Sequence, residues 1–337
     1  MAKKPSPITA ATAAVKQKVA AEPKLLKEKV AEAKPVELNF PKITKPGFVD
    51  NIPDYFYHSD CCDSPSISSS MAKTLIEECP KKMWANSYMD PHRVKKEERN
   101  FDMGHALHLI FLQPDQFAAG IQEIEFADYR KDEAKAQKQL AYNAQKIPLL
   151  THDLRQVWLM REALYENPIA RQAFENDGVS ERSYFLKDKE TGVWMKARLD
   201  REMFKPRIIL DYKSTSSANP ADFSRSIYNF GYYIQQPWYQ HVYREVTGED
   251  IDECYFIAQE KEYPFLPTVV EVKAEAIEYG EKIMRKALRK FADCLSSGKW
   301  HGYRDPNRPD QDGVITLDLP QFAYFNLAER EERGDFE

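Results

Sequence analysis

Cysteine is scarce in this chain of 337 residues, and its positions form no recognisable pattern. The number of cysteines is odd, and no two of them have the C-x-x-C spacing. These features argue against a disulfide framework, a thiolate zinc site and a four-thiolate iron–sulfur cluster. We therefore expect buried or free thiols. The cysteines are Cys61, Cys62, Cys79, Cys254 and Cys294.

Long apolar segments and a net positive charge are also missing. No apolar run approaches the length that spans a bilayer, and the N-terminus has no apolar signal core. We therefore expect a cytoplasmic protein without a membrane partner. The net charge is −5, which is not typical of a nucleic-acid-binding protein. If the chain binds DNA, its Lys and Arg must be concentrated locally, because phosphate contacts supply most of the affinity.

The N-terminal segment differs from the rest because it contains no aromatic residue before Phe40. Residues 1–35 hold eight Lys and three Glu, a charge of +5 that leaves −10 for the remainder. This composition offers little to bury. We predict a flexible Lys/Ala/Pro-rich tail over residues 1–46 and a folded domain over residues 47–337. Alternatively, the tail is a non-specific tether to DNA or to a partner.

The most informative stretch is VWMKARLDREMFKPRIILDYKST, at Val193–Thr215. Two apolar-rich runs in it predict neighbouring strands, and Asp200 follows the first run while Asp211 follows the second. Asp211 and Lys213 are two positions apart, so their side chains point to the same side of an extended chain. If the strands pair, Asp200 approaches both. The runs are Val193–Leu199 and Arg207–Leu210.

Two carboxylates and an ammonium in one cleft suit metal-dependent hydrolysis of a phosphodiester. Mg²⁺ is usually held by one or two carboxylates, water and substrate phosphate. A neighbouring lysine can orient or activate the attacking water, or neutralise charge on the phosphate. The competing interpretation is a solvated strand end, because Asp and Lys are common and short motifs give false positives.

Other residues are candidates for the same site. His108 lies in an apolar segment, Phe101–Leu112, that predicts a buried helix, and its imidazole could complete a divalent-metal shell. A lone histidine on such a helix is more often a core residue. Glu181 precedes a short predicted strand and could supply a third carboxylate, although a solvated strand-edge glutamate explains it as well.

Polar residues at two predicted helices could contact the substrate. Gln235 and Tyr239 are four apart and share a helical face, from which both can bond to phosphate or orient a water molecule. Core packing is the alternative for Tyr239. Ser68 and Ser70 begin another predicted helix, where free backbone N–H groups can bind phosphate. Helix capping accounts for these two serines equally well.

The coarse order of elements is helices, a three-strand meander that carries the candidate site, a long helix, two strands and a helix. This order predicts an α/β (α+β) fold in which helices flank a mixed central sheet. We expect the long helix to start at Asn219 and to continue past Tyr233. The apolar spacing of Ile315–Leu327 predicts that this segment docks on the body of the domain.

Several separate segments, in order, resemble the PD-(D/E)xK nuclease superfamily, whose core is restriction-endonuclease-like. More narrowly, they resemble the RecE-type (exonuclease VIII) family of prophages. The resemblance covers roughly residues 66–323. Its segments are ISSSMAKTLIEECPKKMW at 67–84, MGHALHLIFLQPDQF at 103–117, ARLD at 197–200, ILDYKST at 209–215, YYIQQPWY at 232–239 and LDLP at 317–320.

The resemblance implies roles for particular residues. His108, Asp200 and Asp211 would bind the metal, and Glu181 is a less secure ligand. Lys213 would assist the attacking water. The pair Gln235 and Tyr239 would lie beside the site.

The resemblance also implies an activity and its partners. The activity is Mg²⁺-dependent degradation of linear double-stranded DNA from 5′ to 3′, with Mn²⁺ as a substitute ion. It leaves 3′ single strands for phage-type recombination. A ring-shaped homo-oligomer, a RecT-type annealing protein and a phage or prophage gene in a bacterial host are further implications.

Two other functions stay open at the level of sequence. A nuclease similar to the RecB or Cas4 type would act on single strands or flaps, although the missing cysteine cluster argues against the iron–sulfur members. A non-catalytic module that binds DNA ends could have the same fold. The retained carboxylates and lysine disfavour this second alternative, since a site that has lost catalysis has no physical need for two adjacent carboxylates.

Overall fold

The computed structural model describes residues 40–93, 99–304, 308 and 313–336, with side chains from residue 102 onward in the helix that begins at residue 99. The predicted tail, 1–46, therefore lies mostly outside the described residues. In its last part, Phe40 and Ile43 pack against a cluster of buried side chains, and Ile43 forms a β-bridge with Cys62. Packed structure thus begins before residue 47.

Nine strands occur in the described part of the chain. They are β1 (Gly47–Val49), β2 (Ser66–Ile67), β3 (Ile121–Ile124), β4 (Ile147–Leu150), β5 (Gly178–Lys187), β6 (Trp194–Phe204), β7 (Arg207–Thr215), β8 (Glu253–Glu260) and β9 (Pro267–Val270).

The helices surround these strands. They are α1 (Asp54–Tyr57), α2 (Ser69–Glu77), α3 (Pro80–Asn86), α4 (Arg99–Leu112), α5 (Pro114–Gly120), α6 (Asp132–Asn143), α7 (Thr151–Glu166), α8 (Pro168–Glu175), α9 (Pro220–Phe230), α10 (Tyr232–Thr247), α11 (Ala274–Ser297) and α12 (Gln321–Glu332).

A seven-stranded mixed sheet forms the centre of the domain, in the order β1-β5-β6-β7-β8-β9, with β2 paired to β6. The strands β5, β6 and β7 are an antiparallel meander, as predicted. By contrast, β7–β8 and β2–β6 are parallel pairs. Strands β3 and β4 form a separate parallel pair. The α/β (α+β) prediction, a mixed central sheet flanked by helices, is confirmed.

Helices cover both faces of the sheet because the strands of the meander are apolar on both sides. One buried cluster joins Leu199 and Ile209 to α10 and α11 through residues such as Trp238 and Phe291. A second cluster joins strand residues such as Tyr212 to α4, α7 and α8. Strands buried on both faces read as nearly continuous apolar runs, which is what the sequence shows here.

Strands β6 and β7 diverge in the middle of the sheet. Their ladder runs from Phe204↔Arg207 to Arg201↔Leu210 and has no further pair. Beyond that point β6 pairs with β2, while β7 continues along β8. Asp200 and Asp211 are the next residues on the two strands, so both lie where the strands separate. Both strands also continue past the aspartates, which the sequence interpretation had placed at strand ends.

Two expectations about helices are wrong. The helix that starts after Asn219 was expected to continue past Tyr233, but it ends at Phe230. Gly231 adopts a left-handed backbone (φ 73°), which ends α9 and precedes α10. The C-terminal segment was expected to dock on the body, but α12 buries none of its residues. Its aromatic residues Phe322, Tyr324 and Phe325 are all exposed.

All five cysteines are free and buried, in agreement with the sequence interpretation. Among the described residues, no helix has both the length and the apolar character needed to cross a membrane.

Candidate metal centre and active site

The candidate site lies at the point where β6 and β7 diverge. Asp200 comes from β6 and Asp211 from β7, while the neighbouring strand β5 brings Glu181. Helix α4 contributes His108 from the side of the second buried cluster. Helix α10 contributes Gln235 and Tyr239 from the side of the first. The fold therefore brings together residues that are more than a hundred positions apart in the chain.

His108, Glu181 and Asp200 form the group of ligand atoms best suited to a metal. One ligand atom from each lies within 4.8 Å of those of the other two. Nδ1 of His108 is 3.7 Å from Oδ2 of Asp200 and 3.9 Å from Oε1 of Glu181. An imidazole nitrogen and two carboxylate oxygens are a donor set that divalent cations accept.

A backbone kink places Glu181 in this group. Its φ is 56°, in the left-handed region that non-glycine residues rarely adopt. The ladder pairs on either side, Ser180↔Arg201 and Arg182↔Leu199, are formed, and Glu181 sits between them. Such outliers persist only where the surrounding structure holds them, and they are common at functional sites.

Asp200 is held by a hydrogen bond from β7 at the point where β6 and β7 separate. The backbone N–H of Tyr212 donates a hydrogen bond of 2.9 Å to Oδ2 of Asp200. Because β6 and β7 have separated here, a side-chain oxygen takes the place of a strand carbonyl. A buried backbone N–H needs such an acceptor. The ring of Tyr212 also packs edge-on against His108, with 5.6 Å between the ring centroids.

Asp211 belongs to an adjoining network and is not part of the three-residue group. Its Oδ1 lies 2.5 Å from Nζ of Lys213. Its Oδ2 accepts a hydrogen bond of 2.5 Å from Nε2 of Gln235, which also donates to the hydroxyl of Tyr239 over 2.8 Å. The sequence placed Asp211 among the metal ligands, whereas the structure directs its carboxylate towards Lys213 and Gln235.

The buried carboxylates of the site favour binding of a cation. Burial raises the pKa of Asp200, and burial together with the charge of Asp200 raises the pKa of Asp211 to about 6. Burial alone would lower the pKa of His108, but Asp200 and Glu181 outweigh it and raise the pKa to about 9. The buried anions thus hold protons more tightly than usual. A divalent ion would replace those protons, so the residues fit a metal.

Lys213 carries its charge into this environment. Burial acts to lower the pKa of Lys213, but the negative charges of Asp211 and Asp200 raise it above its ordinary value. The side chain is therefore an ammonium. It can neutralise a phosphate and donate hydrogen bonds, and it is poorly suited to accept a proton.

Ser68 and Ser70 make the contacts of a helix start. Oγ of Ser68 accepts a hydrogen bond of 3.5 Å from the backbone of Met71 and lies 3.0 Å from Oγ of Ser70. These contacts account for Ser68 as the N-cap of α2. A phosphate role for the two serines stays a prediction.

Arg198 is a residue of the site that sequence reasoning missed. Its Nε lies 3.9 Å from Oε2 of Glu181 and donates a hydrogen bond of 2.9 Å to Oγ of Ser183. The same guanidinium forms an ion pair with Asp54 and bonds to the carbonyl of Ile52. The available signal was its place two positions before Asp200, which puts both side chains on one side of β6.

Comparison with known families and structures bears on this arrangement. Residues 68–305 match the family described as "PDDEXK-like domain of unknown function" (DUF3799). The chain belongs to this PDDEXK-like family. The matched range contains every candidate site residue, from Ser68 to Tyr239. The resemblance to the PD-(D/E)xK superfamily is thereby confirmed, and such nucleases typically use divalent metals.

A solved structure supports the fold. A crystal structure from Eubacterium rectale, provisionally described as an exonuclease, has a TM-score of 0.56 at 12% identity, over 81% of this chain and 97% of that one. At this identity the likeness concerns the fold alone. The SSO0001 protein gives a TM-score of only 0.23 at 10% identity, over 57% of this chain and 88% of that one. Comparison with curated proteins gave no match.

Proposed function

We propose that this PDDEXK-like protein is a divalent-metal-dependent exodeoxyribonuclease that degrades linear double-stranded DNA from 5′ to 3′. One observation carries the proposal: His108, Glu181 and Asp200 converge within 4.8 Å beside the Asp211–Lys213 ion pair. A ligand group and an ammonium side by side are what hydrolysis of a phosphodiester requires. The polarity and the duplex substrate rest on the resemblance to the RecE-type family.

His108, Glu181 and Asp200 would hold the metal, and the carboxylate of Asp211 lies next to them. Mg²⁺ suits a site rich in carboxylate oxygens, with Mn²⁺ as a substitute. When bound, a divalent ion supplies Lewis-acid activation of the scissile phosphate and of the attacking water.

The other residues position charge around the reacting phosphate. Lys213 stays an ammonium, so its role is to neutralise the negative charge that develops on the phosphate oxygens and to orient the water. Gln235 holds the carboxylate of Asp211 by a hydrogen bond of 2.5 Å. Tyr239 accepts from the same amide group and keeps Gln235 in place.

The biological setting is part of the same proposal. Digestion from 5′ to 3′ leaves 3′ single strands, the substrate of a RecT-type annealing protein in phage-type recombination. We also propose a ring-shaped homo-oligomer that encloses the duplex, in the cytoplasm of a bacterial host. A ring would reconcile the net charge of −5 with DNA binding if basic residues line its channel.

Digestion of end-labelled DNA tests the activity. Linear duplexes with 5′-phosphate or 5′-hydroxyl ends and a closed circle are incubated with Mg²⁺ or with EDTA, using wild type and Asp211→Asn. We expect the linear duplexes to lose nucleotides from the 5′ ends in Mg²⁺ only, and the circle to survive. Full digestion by Asp211→Asn, or digestion in EDTA, would refute the mechanism. Tailed and single-stranded substrates separate the RecB- or Cas4-type alternative.

A further inference from the structure

A stack of three aromatic rings leads from the sheet to the surface. The buried ring of Phe256 lies nearly parallel to that of Tyr232, with 5.2 Å between centroids and 21° between planes. Tyr232 in turn stacks on Phe230, at 5.8 Å and 28°. Phe230 is 63% exposed. We call these three residues the aromatic stack.

The aromatic stack touches the candidate active site directly. Nζ of Lys213 lies 4.8 Å from the centroid of the Tyr232 ring, a cation–π contact. The same Nζ lies 2.5 Å from Asp211. A ring in solvent is therefore connected to the ammonium of the site through a single intervening residue. Scattered exposed aromatics are normal on a protein surface, but this one continues a row that begins at the site.

The local backbone is shaped to bring the two outer rings together. In a continuous helix, residues two positions apart do not face each other. Gly231 stands between Phe230 and Tyr232 with φ 73°, and this left-handed residue turns the chain so that the rings stack. A Cβ at Gly231 would lie 2.6 Å from Cδ of Lys73. The break thus needs glycine for its left-handed backbone, whereas the flexible side chain of Lys73 can move away from an added Cβ.

We propose that the outer face of Phe230 binds an unpaired nucleobase of a single-stranded or frayed DNA end. Every base has a π face, so stacking on an aromatic side chain tolerates any sequence. The adjoining Lys213 supplies the positive charge that a phosphate of the same strand needs. The inference deepens the proposed nuclease function, since it assigns a substrate class to the surface beside that site.

A binding experiment tests the proposal without relying on cleavage. The probe is a 12-nucleotide oligothymidine with one 2-aminopurine, placed in turn at each position, and Ca²⁺ replaces Mg²⁺. Gel electrophoresis verifies that the oligonucleotide stays intact. Stacking on Phe230 quenches 2-aminopurine, and fluorescence anisotropy gives the affinity. The variants are Phe230→Leu, which stays apolar but loses the π face, and Phe230→Trp, which retains one.

Phe204→Leu is the matched control. Phe204 is also an exposed aromatic residue, but it lies at the closed end of the β6–β7 hairpin, opposite Arg207. Arg207 and Lys213 are six positions apart in β7, a distance of about 20 Å along the strand. We expect Phe230→Leu to bind the oligonucleotide about tenfold more weakly, in line with the loss of one base stack. Phe230→Trp and Phe204→Leu should bind like wild type.

Several outcomes overturn the proposal. Equal affinity of Phe230→Leu and wild type refutes it, as does a wild type that neither binds the oligonucleotide nor quenches it. The same loss on a closed circular duplex, which has no end to fray, shows that the contact is not with an unpaired base. A changed oligomeric state with unchanged DNA affinity assigns Phe230 to a contact between copies. If binding depends on Phe230 but no DNA is digested in Mg²⁺, the base site stands and the nuclease function fails.

Discussion

Tyr212 donates its backbone N–H to Oδ2 of Asp200 over 2.9 Å, and this bond joins the two strands where their ladder has ended. The same oxygen lies 3.7 Å from Nδ1 of His108, within the candidate metal group. Asp200 therefore stabilises the separation of the strands and supplies a negative charge to the site. The two roles can be separated, because only the second requires charge.

Substituting Asp200 with Asn or with Ala should give different results. Asn keeps an oxygen that can accept from Tyr212, whereas Ala leaves a buried N–H unsatisfied, at a cost of about 1–3 kcal/mol. Both variants should lose metal affinity and nuclease activity. Urea denaturation without metal measures the difference. If Asp200→Ala were as stable as Asp200→Asn, the bond to Tyr212 would have no structural role.

Metal binding should strengthen as the pH rises towards 9. The carboxylates of Asp200 and Glu181 outweigh the effect of burial and raise the pKa of His108 to about 9, so its imidazole is protonated at neutral pH without metal. An incoming ion must displace that proton. Its affinity should therefore rise about tenfold per pH unit below pH 9 if one proton is released.

Calorimetry with Mg²⁺ in buffers of different ionisation enthalpy measures this release. We expect close to one proton per ion from His108 at pH 7. His108→Gln provides the control, since it keeps a polar side chain that has no proton to lose near neutral pH. An identical pH dependence in His108→Gln would show that the histidine does not titrate with metal binding.

The bonds of Gln235 predict a graded series of activities. Gln235 donates to both Asp211 and Tyr239, so Gln235→Ala frees the carboxylate next to the metal group. Loss of such an orienting partner typically costs about 10- to 100-fold. Tyr239→Phe removes only the hydroxyl, and Gln235 keeps its bond to Asp211, so the loss should be smaller. Rates on linear duplex at saturating substrate test the order; an equal loss in both variants would contradict it.

Much of the site could be predicted because its residues follow regular strand and helix patterns. The two apolar-rich runs within residues 193–215 predicted neighbouring strands, and the pairing of β6 with β7 brings Asp200 next to Asp211. The two-residue spacing of Asp211 and Lys213 predicted that both side chains lie on the same side of the strand. These predictions needed only local periodicity and the assumption that neighbouring strands pair.

The remaining features depend on single backbone angles and long-range packing. Glu181 approaches His108 because its own backbone has a φ of 56°. Nothing in the neighbouring residue types predicts that angle for a glutamate. Gly231 breaks a helix whose pattern continues on both sides, and an isolated glycine in such a pattern is usually tolerated. The contact of Arg198 with Glu181 joins two strands whose register the sequence leaves open.

Two helical glycines provide a last prediction in which helix propensity and packing disagree. In a helix interior Ala is favoured over Gly by about 1 kcal/mol. At Gly104 in α4, an added Cβ would have none of the described atoms within 4 Å, apart from the backbone of its own helix. Gly104→Ala should therefore stabilise the fold by about 1 kcal/mol. At Gly280 in α11, the Cβ would lie 1.8 Å from the carbonyl oxygen of Tyr233, where α10 and α11 pack together.

Gly280→Ala should therefore destabilise the protein in spite of its higher helix propensity, because a backbone atom cannot move aside as a flexible side chain can. Overpacking typically costs about 1–3 kcal/mol, which exceeds the propensity gain. Thermal and urea denaturation of the two variants give the sign of each change. A stabilised Gly280→Ala would mean that α10 and α11 do not approach this closely. Since α10 carries Gln235 and Tyr239, the positions of those side chains beside Asp211 depend on that approach.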